Sequence, residues 1–493
     1  MARQASIRFS GLMFDKMLGY LFALFVTKTY GSTGFGLYLF GVSLIEILFV
    51  VARLGLDRSS VRAAASLAAT GKFAEIKGVA RASLLITSLS GIALAAALFF
   101  FNQSLSNAMA RPGLADFLSI AAIAVPASVM ADVFLWPTEA IGSQRYFALV
   151  RNVFEPIVKI SLAVVFFVAS AGSANARSLG IAYAISILAG ATLSFLVYLR
   201  VIAARYGERA RESHIKELLR VGLPVCGQNL LGRALAQTDI FLLFTLVSAA
   251  STAHYTVAAR TAMLMAMISF AFEAAFRPAA AAVLARGERL TPLYRSVSRS
   301  VLMLCLPAAV VLILFPARVM AVVGDQFINA APVVRWIAAG ATASFILGPA
   351  ASALMMAGRS RTPLINGIIA GMISLALNLI LIPRIGLAGA GIAQCVSWVA
   401  SSALNAVAAH RLLKIFSIGR RHAPLLIAAA LASIVALLVE QVAPENKYLS
   451  LALVGAAALT AYAATLLMIG VAQEDRRFIR SILLIGQKQK ITK

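Results

Sequence analysis

Residues 361–410 read RTPLINGIIAGMISLALNLILIPRIGLAGAGIAQCVSWVASSALNAVAAH, two apolar runs parted only by Pro383-Arg384-Ile385. The runs, 362–382 and 386–409, each have the ~20 residues a helix needs to cross the hydrocarbon of a bilayer. Neither alternates apolar with polar residues, so helices are the way this chain satisfies its backbone in lipid. Pro383 and Gly386 stop the first helix, and Gly389 and Gly391 let the second pack closely. The stretch reads as a helical hairpin made for a membrane.

The same pattern runs outward in both directions. Further apolar runs lie at 11–30, 34–52, 82–101, 114–135, 146–169 and 179–199 in the first half of the chain. Others lie at 222–247, 253–276, 300–323, 333–356, 423–440 and 449–471. Of 493 residues, 61% are hydrophobic and 13% charged, and the mean hydropathy is +0.89. Soluble proteins average about 45–50% apolar and ~25% charged residues. So few charges cannot cover so much apolar surface. The sequence therefore predicts an all-α polytopic membrane protein with about 14 transmembrane helices.

The net charge of +25 is sorted by topology. One alternate set of connections, with Arg3, Arg8 and the tail after 475, holds 33 of the 44 Lys and Arg residues. The opposite set holds seven, and four fall within spans. With the acids counted, the first side carries +24, the second +3 and the spans −2. An excess of Lys and Arg marks the cytoplasmic side, which places both termini there. The charge is thus a topology signal and an attraction to anionic lipid headgroups. It is not read as nucleic-acid binding. The first span contains Asp15 and Lys16 and no small-residue cleavage site follows it, so it is expected to be a retained helix.

The two halves echo one another. Ser32-Thr33 and Arg58 recur as Ser251-Thr252 and Arg277 at an offset of 219. Gly142 and Arg145 match Gly358 and Arg361 at 216, and Ile160-Ser161-Leu162-Ala163 matches Ile373-Ser374-Leu375-Ala376 at 213. Gly180-Ile181-Ala182 matches Gly391-Ile392-Ala393 at 211, so the offset drifts one way. This gives an N-terminal lobe 1–205 with spans one to six and a C-terminal lobe 206–420 with spans seven to twelve. Residues 421–493 add two spans and a basic cytoplasmic tail. Six spans per half make the repeat parallel, with a site expected between the lobes near the midplane, the architecture of a transporter.

Catalytic chemistry finds little support. Cys226, Cys305 and Cys395 lie far apart in apolar stretches, and with four histidines they offer no metal spacing and no disulfide framework. No Gly-x-x-x-x-Gly-Lys-Ser/Thr occurs, so no nucleotide drive is expected, and no cofactor. Outer connections are short and hold only Asp116, Asp325, Glu440 and Glu445 as acids, which disfavours a glycosyltransferase or polymerase.

Three segments carry a resemblance. Gly34-Phe35-Gly36-Leu37-Tyr38 opens the second span and leads to Leu54-Gly55-Leu56-Asp57-Arg58 and Arg62. Pro224 opens the seventh span, which holds Thr238-Asp239, and Tyr255-Thr256-Val257-Ala258-Ala259 lies in the eighth. The third is the run from Asn378 to Ile392. With these the chain resembles the polysaccharide-transporter branch of the multidrug/oligosaccharidyl-lipid/polysaccharide exporter superfamily, the O-antigen and exopolysaccharide lipid flippases. The resemblance covers nearly the whole chain. It implies a fold like that of the multidrug and toxin extrusion transporters: two pseudo-symmetric six-helix lobes, with two added helices at the C-terminal end. It also implies a home in the bacterial inner membrane.

Ionisable residues inside spans are costly and therefore candidates for function. Glu46, Arg53 and Asp57 are spaced to form one stripe on the second span, with Arg53 able to pair with Asp57. Asn229, Arg233 and Gln237 share a face of the seventh, while Asp239 points elsewhere. Arg260 and Glu273 lie on the eighth. Arg151, Glu155 and Lys159, four residues apart, can neutralise one another. A lipid-linked oligosaccharide carries a pyrophosphate, and an anion in hydrocarbon needs cationic side chains around it. The resemblance implies such a cationic cavity, for which Arg53, Arg233, Arg260 and Lys16 are the candidates. Internal pairing of Arg233 with Asp239 or Glu46, and of Lys16 with Asp15, is the competing role. Glu46, Asp132, Asp239, Glu273 and Asn378 are candidates for the coupling ion, H⁺ or Na⁺. Asp239 and Asn378 look similar in position to two sodium-site residues of the peptidoglycan-precursor flippases.

The expected function is a flippase, a secondary transporter and not an enzyme. It would move an undecaprenyl-pyrophosphate-linked oligosaccharide from the cytoplasmic to the outer leaflet by alternating access, driven by an ion gradient. Polysaccharide polymerase and export machinery are the protein partners this implies. A multidrug or organic-cation exporter of the same fold is the alternative, and it would favour acidic and aromatic residues in the cavity.

Overall fold

The computed structural model describes residues 2–69, 73–140, 143–170, 175–203, 215–416, 419 and 422–469. The tail after 475, Gly142, and the basic residues at 205, 209, 211, 420 and 421 lie outside the described residues. Among the described residues the backbone is helical almost throughout and contains no strand. Thirteen helices among the described residues are long and apolar enough to cross a membrane. The chain divides into two compact units, Met1–Val257 and Ala258–Lys493.

The first unit starts with α1 (Ala2–Thr29), α2 (Gly31–Arg53), α3 (Leu56–Ala69), α4 (Phe73–Ala108) and α5 (Leu114–Ala121). It continues with α6 (Ala124–Ala140), α7 (Arg145–Phe147), α8 (Glu155–Ala169), α9 (Ala176–Tyr198), α10 (Ile215–Ala236) and α11 (Thr238–Leu246). The boundary between the units falls inside α12 (Ala249–Ala285). In the first unit α6 packs on α4 and α9, and α2 packs on α4, α6 and α10. Phe22, Phe35, Tyr38, Phe117 and Tyr183 stack edge and face to fill its centre. Gly41 makes room for Phe117, whose ring a Cβ there would strike.

Large apolar side chains also stand on the outside, which a water-soluble chain avoids in such numbers. On α4, Leu85, Leu89, Ile92, Phe99 and Phe100 are all exposed, the last at 76%. Hydrocarbon is the solvent that suits this face.

Two elements differ from the sequence expectation. The seventh span, expected as one run over 222–247, is two helices that meet at Gln237. Neither piece is long and apolar enough to count as a crossing, and this is why thirteen helices qualify and not fourteen. The polar cluster Gly232-Arg233 and Gln237 interrupts the apolar pattern just where the helix breaks. The second difference concerns α2, which ends at Arg53 in a left-handed turn with φ of 49° at Leu54 and 72° at Gly55. Asp57 therefore sits in the first turn of α3, and the expected single stripe of Glu46, Arg53 and Asp57 does not form on one helix.

The second unit contains the rest of α12, then α13 (Thr291–Leu314), α14 (Pro316–Val323), a 3₁₀ turn over Asp325–Ala330, α15 (Ala331–Leu347) and α16 (Ala350–Met356). It ends with α17 (Arg361–Ile385), α18 (Leu387–Leu413), α19 (Ala423–Gln441) and α20 (Lys447–Ile469). The hairpin of α17 and α18 turns at Gly386, where φ is +57°. A Cβ at Gly389 would lie 2.6 Å from the Leu381 carbonyl, and one at Gly391 would lie 3.0 Å from Val333 Cα. Helices α19 and α20 pack on α13 through an apolar cluster that includes Leu306, Leu425, Ala432 and Tyr462. Their connection is tied to α14 and its 3₁₀ turn by Arg318 with Glu440 at 3.1 Å and by Lys447 with Asp325 at 2.8 Å.

Candidate functional site

A cavity of about 800 Å³ opens within the first unit. Its walls come from α1, α2, α3, α6, α8, α9 and α10, the helix expected to open the second lobe. Five cations line it, Arg53, Arg58, Arg151, Lys159 and Arg233. Five carboxylates line it as well: Asp15, Glu46, Asp57, Asp132 and Glu155. Tyr38, Tyr183, Asn152 and Asn229 add neutral polar groups.

Local backbone features place these side chains. Residues Ala148–Phe154 form a π-helical turn between α7 and α8. Pro156 follows and has no N–H to give the preceding turn, so the wider turn is retained there. The π turn presents Arg151 and Asn152 to the cavity. Close approach of α10 to α2 and α3 depends on two glycines: a Cβ on Gly55 would run into the Gly222 carbonyl, and one on Gly222 would lie 2.6 Å from the Leu54 carbonyl. That approach brings Arg233 to Glu46.

Gly55→Val is therefore expected to push α10 from α2 and to cost at least about 2 kcal/mol, from the left-handed backbone and the collision together. The check is the melting temperature of the purified protein in detergent, with Gly227→Val on α10 as a control because a Cβ there meets nothing within 4 Å. Equal melting of the two variants would remove the argument.

The charges fall into two clusters. In the first, Asp132 accepts from Arg53 at 2.6 Å and from Arg151 at 2.5 and 3.0 Å. Arg151 also reaches Glu155 at 2.7 Å and donates to the carbonyl and hydroxyl of Ser128. Arg151 thus spends its guanidinium on protein partners, whereas Arg53 keeps its Nε without one. In the second cluster Arg233 pairs with Glu46, and Gln237 donates to the same carboxylate oxygen at 2.8 Å. Both clusters are charge-compensated, which is what a low-dielectric setting demands. Lys159 is different: it makes no ion pair within 4 Å among the described residues and lies 4.9 Å from the centre of the Phe22 ring.

The other sequence candidates lie elsewhere. Lys16 is 69% exposed with Asp15 4.0 Å away, and it is not part of the cavity wall. Arg260 is half-buried on α12 in the second unit and is not in that wall either. Asp239, at the start of α11, accepts from the Tyr255 hydroxyl at 2.5 Å. Asn378 is fully buried on α17, its amide 3.4 Å from Ser374 Oγ. Glu273 lines a separate cavity of about 200 Å³ in the second unit, accepting from Ser352 at 3.1 Å and pairing with Arg277 at 3.4 Å. Arg53 pairs with Asp132 and not, as its spacing suggested, with Asp57, because the chain turns between them. Arg151, Glu155 and Lys159 are a self-neutralising set by spacing, and Arg151 does reach Glu155. Their four-residue spacing was visible, but not the π turn that sends Arg151 to Asp132.

Helices long and apolar enough to cross a membrane, with a charge-lined cavity among those of the first unit, define a multi-pass membrane protein. The family model described as "Polysaccharide biosynthesis protein" matches residues 31–332, and the chain belongs to that family. The fold is shared with an inward closed lipid II flippase, MurJ, at 14% identity and a TM-score of 0.72, covering 96% of this chain and 99% of the other. It is shared also with an inward-facing multidrug resistance transporter of the MATE family, in the MOP superfamily, at 16% identity and a TM-score of 0.65, over 83% and 98% of the two chains. A MOP superfamily transporter from Pyrococcus furiosus, described as having a binding pocket of reverse polarity, matches at 17% identity and a TM-score of 0.58, over 84% and 95%. No curated protein sequence matches the chain. The fold is that of the MOP superfamily, as the resemblance implied.

Proposed function

We propose that this protein moves an undecaprenyl-pyrophosphate-linked oligosaccharide from the cytoplasmic to the outer leaflet of the bacterial inner membrane, for assembly of a surface or exported polysaccharide. The observation that carries the reading is the cavity with Arg53, Arg58, Arg151, Lys159 and Arg233 in its wall. A pyrophosphate cannot enter hydrocarbon uncompensated, and arginine forks bind phosphate oxygens in pairs. Glu46 and Asp132 stand where phosphate oxygens would sit against Arg233 and Arg53. Substrate binding is an exchange of one anion for another, so the cavity is neutral without cargo and accepts a charged headgroup when cargo arrives. Alternating access then exposes the cavity to one leaflet and the other, driven by an H⁺ or Na⁺ gradient. Of the five coupling candidates, Glu46 and Asp132 face this cavity, and Glu46 is the more accessible at 33% against 4%. Both termini are cytoplasmic in this reading, and a polymerase takes the product at the outer face.

The test is translocation of a fluorescent polyprenyl-pyrophosphate glycan in proteoliposomes, read by a quencher confined to one side, with and without a pH or Na⁺ gradient. Arg53→Ala and Arg233→Ala are each expected to lower the rate at least about tenfold with expression and folding kept. A wild-type protein that moves no lipid-linked sugar but clears an organic-cation dye would replace the flippase by an exporter.

A further inference from the structure

Three of the cavity's five cations already hold a carboxylate: Arg53, Arg151 and Arg233. Arg58 does not. It is exposed on α3, it lines the cavity, and it makes no ion pair or hydrogen bond through its side chain among the described residues. One turn further along α3, Arg62 is likewise exposed and without such a partner. Arg62 lines a second hollow of about 270 Å³ beside the first, with Ser59, Ser66, Leu67, Leu218 and Val221. Side chains four apart on a helix lie about 6 Å from one another, within reach of the two phosphates of one pyrophosphate.

We infer that Arg58 and Arg62 form an entry site that receives the pyrophosphate headgroup of a lipid before it reaches Arg53 and Arg233. The inference rests on the flippase reading and adds a step to it. An anion meeting Arg233 must first displace Glu46, whereas one meeting Arg58 or Arg62 breaks no pair among the described residues. The incoming charge is therefore held first where compensation is missing, and α3 carries it from the hollow at Arg62 to the cavity at Arg58. The hollow's other wall, from Leu67, Leu218 and Val221, is apolar. That combination fits a headgroup still attached to a hydrocarbon chain, not a soluble phosphate.

The experiment uses the full chain in phosphatidylcholine nanodiscs and a radiolabelled polyprenyl pyrophosphate as the probe. The double variant Arg58→Gln/Arg62→Gln is expected to bind it about tenfold more weakly, and Arg58→Lys/Arg62→Lys to recover part of the loss. In proteoliposomes the double variant raises the half-saturating concentration about tenfold, a larger change than in its maximal rate. Arg53→Ala instead lowers the maximal rate. If the wild type translocates and the double variant keeps both its affinity and its half-saturation, the entry site is overturned. Inorganic pyrophosphate that competes as strongly as the lipid probe overturns the lipid headgroup as occupant. If the wild type binds the probe through these arginines but moves no lipid-linked sugar, the function fails and the anion site stands.

Discussion

Asp132→Ala is expected to destabilise the protein by about 3–5 kcal/mol, enough to leave little folded material in detergent. Asp132 is the common acceptor of Arg53 and Arg151, and it is 3% exposed. Removing it leaves two guanidiniums to one carboxylate, with Arg151, only 10% exposed, held by Glu155 and Ser128 alone. Asp132→Asn keeps the shape and still loses most of this, because the lost quantity is charge. Asp132→Leu with Arg151→Met and Glu155→Gln should recover stability, since neutral residues of similar volume often replace buried ions without loss. Arg53 lies at the cavity wall and can be hydrated there. Melting temperatures in detergent decide the matter. An Asp132→Ala protein that melts within a degree or two of wild type would mean that the cluster is not a buried one.

The second large effect concerns Glu46. If this carboxylate competes with substrate phosphate for Arg233, Glu46→Gln removes the competitor. The variant should bind a polyprenyl-pyrophosphate probe about tenfold more tightly, the equivalent of ~1.4 kcal/mol. Glutamine still accepts from Gln237, so the local geometry is kept. Turnover should fall over the same range, because the carboxylate is also what reclaims Arg233 when cargo leaves. Binding and translocation measured on one preparation separate the two effects. A variant with weaker binding, or with neither property changed, would rule out anion exchange at this pair.

Much of the fold was legible because membrane helices announce themselves in apolar runs of fixed length, and the Pro383 to Gly391 hairpin could be read in detail. Breaks were harder. Gln237 and the Leu54-Gly55 turn each interrupt a helix by one or two residues, less than any window of hydropathy resolves. The site suffered from the same limit. Arg53, Arg233 and Glu46 were found because charge inside a span is costly. The partner of Arg53 was not, since Asp132 is 79 positions away, whereas Glu46, 187 positions from Arg233, was one of the two partners its charge suggested. Lys16 and Arg260 carried the same signal and lie outside the cavity wall. Charge in a span shows that compensation exists somewhere, not where it is.

The π turn at Ala148–Phe154 has a consequence for how such a protein can change over generations. A wide turn holds one residue of slack, and closing it to an α-helix would rotate one flank against the other by about 100°. Arg151 would then leave Asp132, breaking the cluster in which Arg53 and Glu155 also take part. Conversely, losing Asp132 removes the reason to hold Arg151 at that angle. The slack, Pro156 behind it and the carboxylate opposite are thus inherited as a unit. A descendant that straightens this helix must re-pair or shed the four charges of that cluster together, or nearly so.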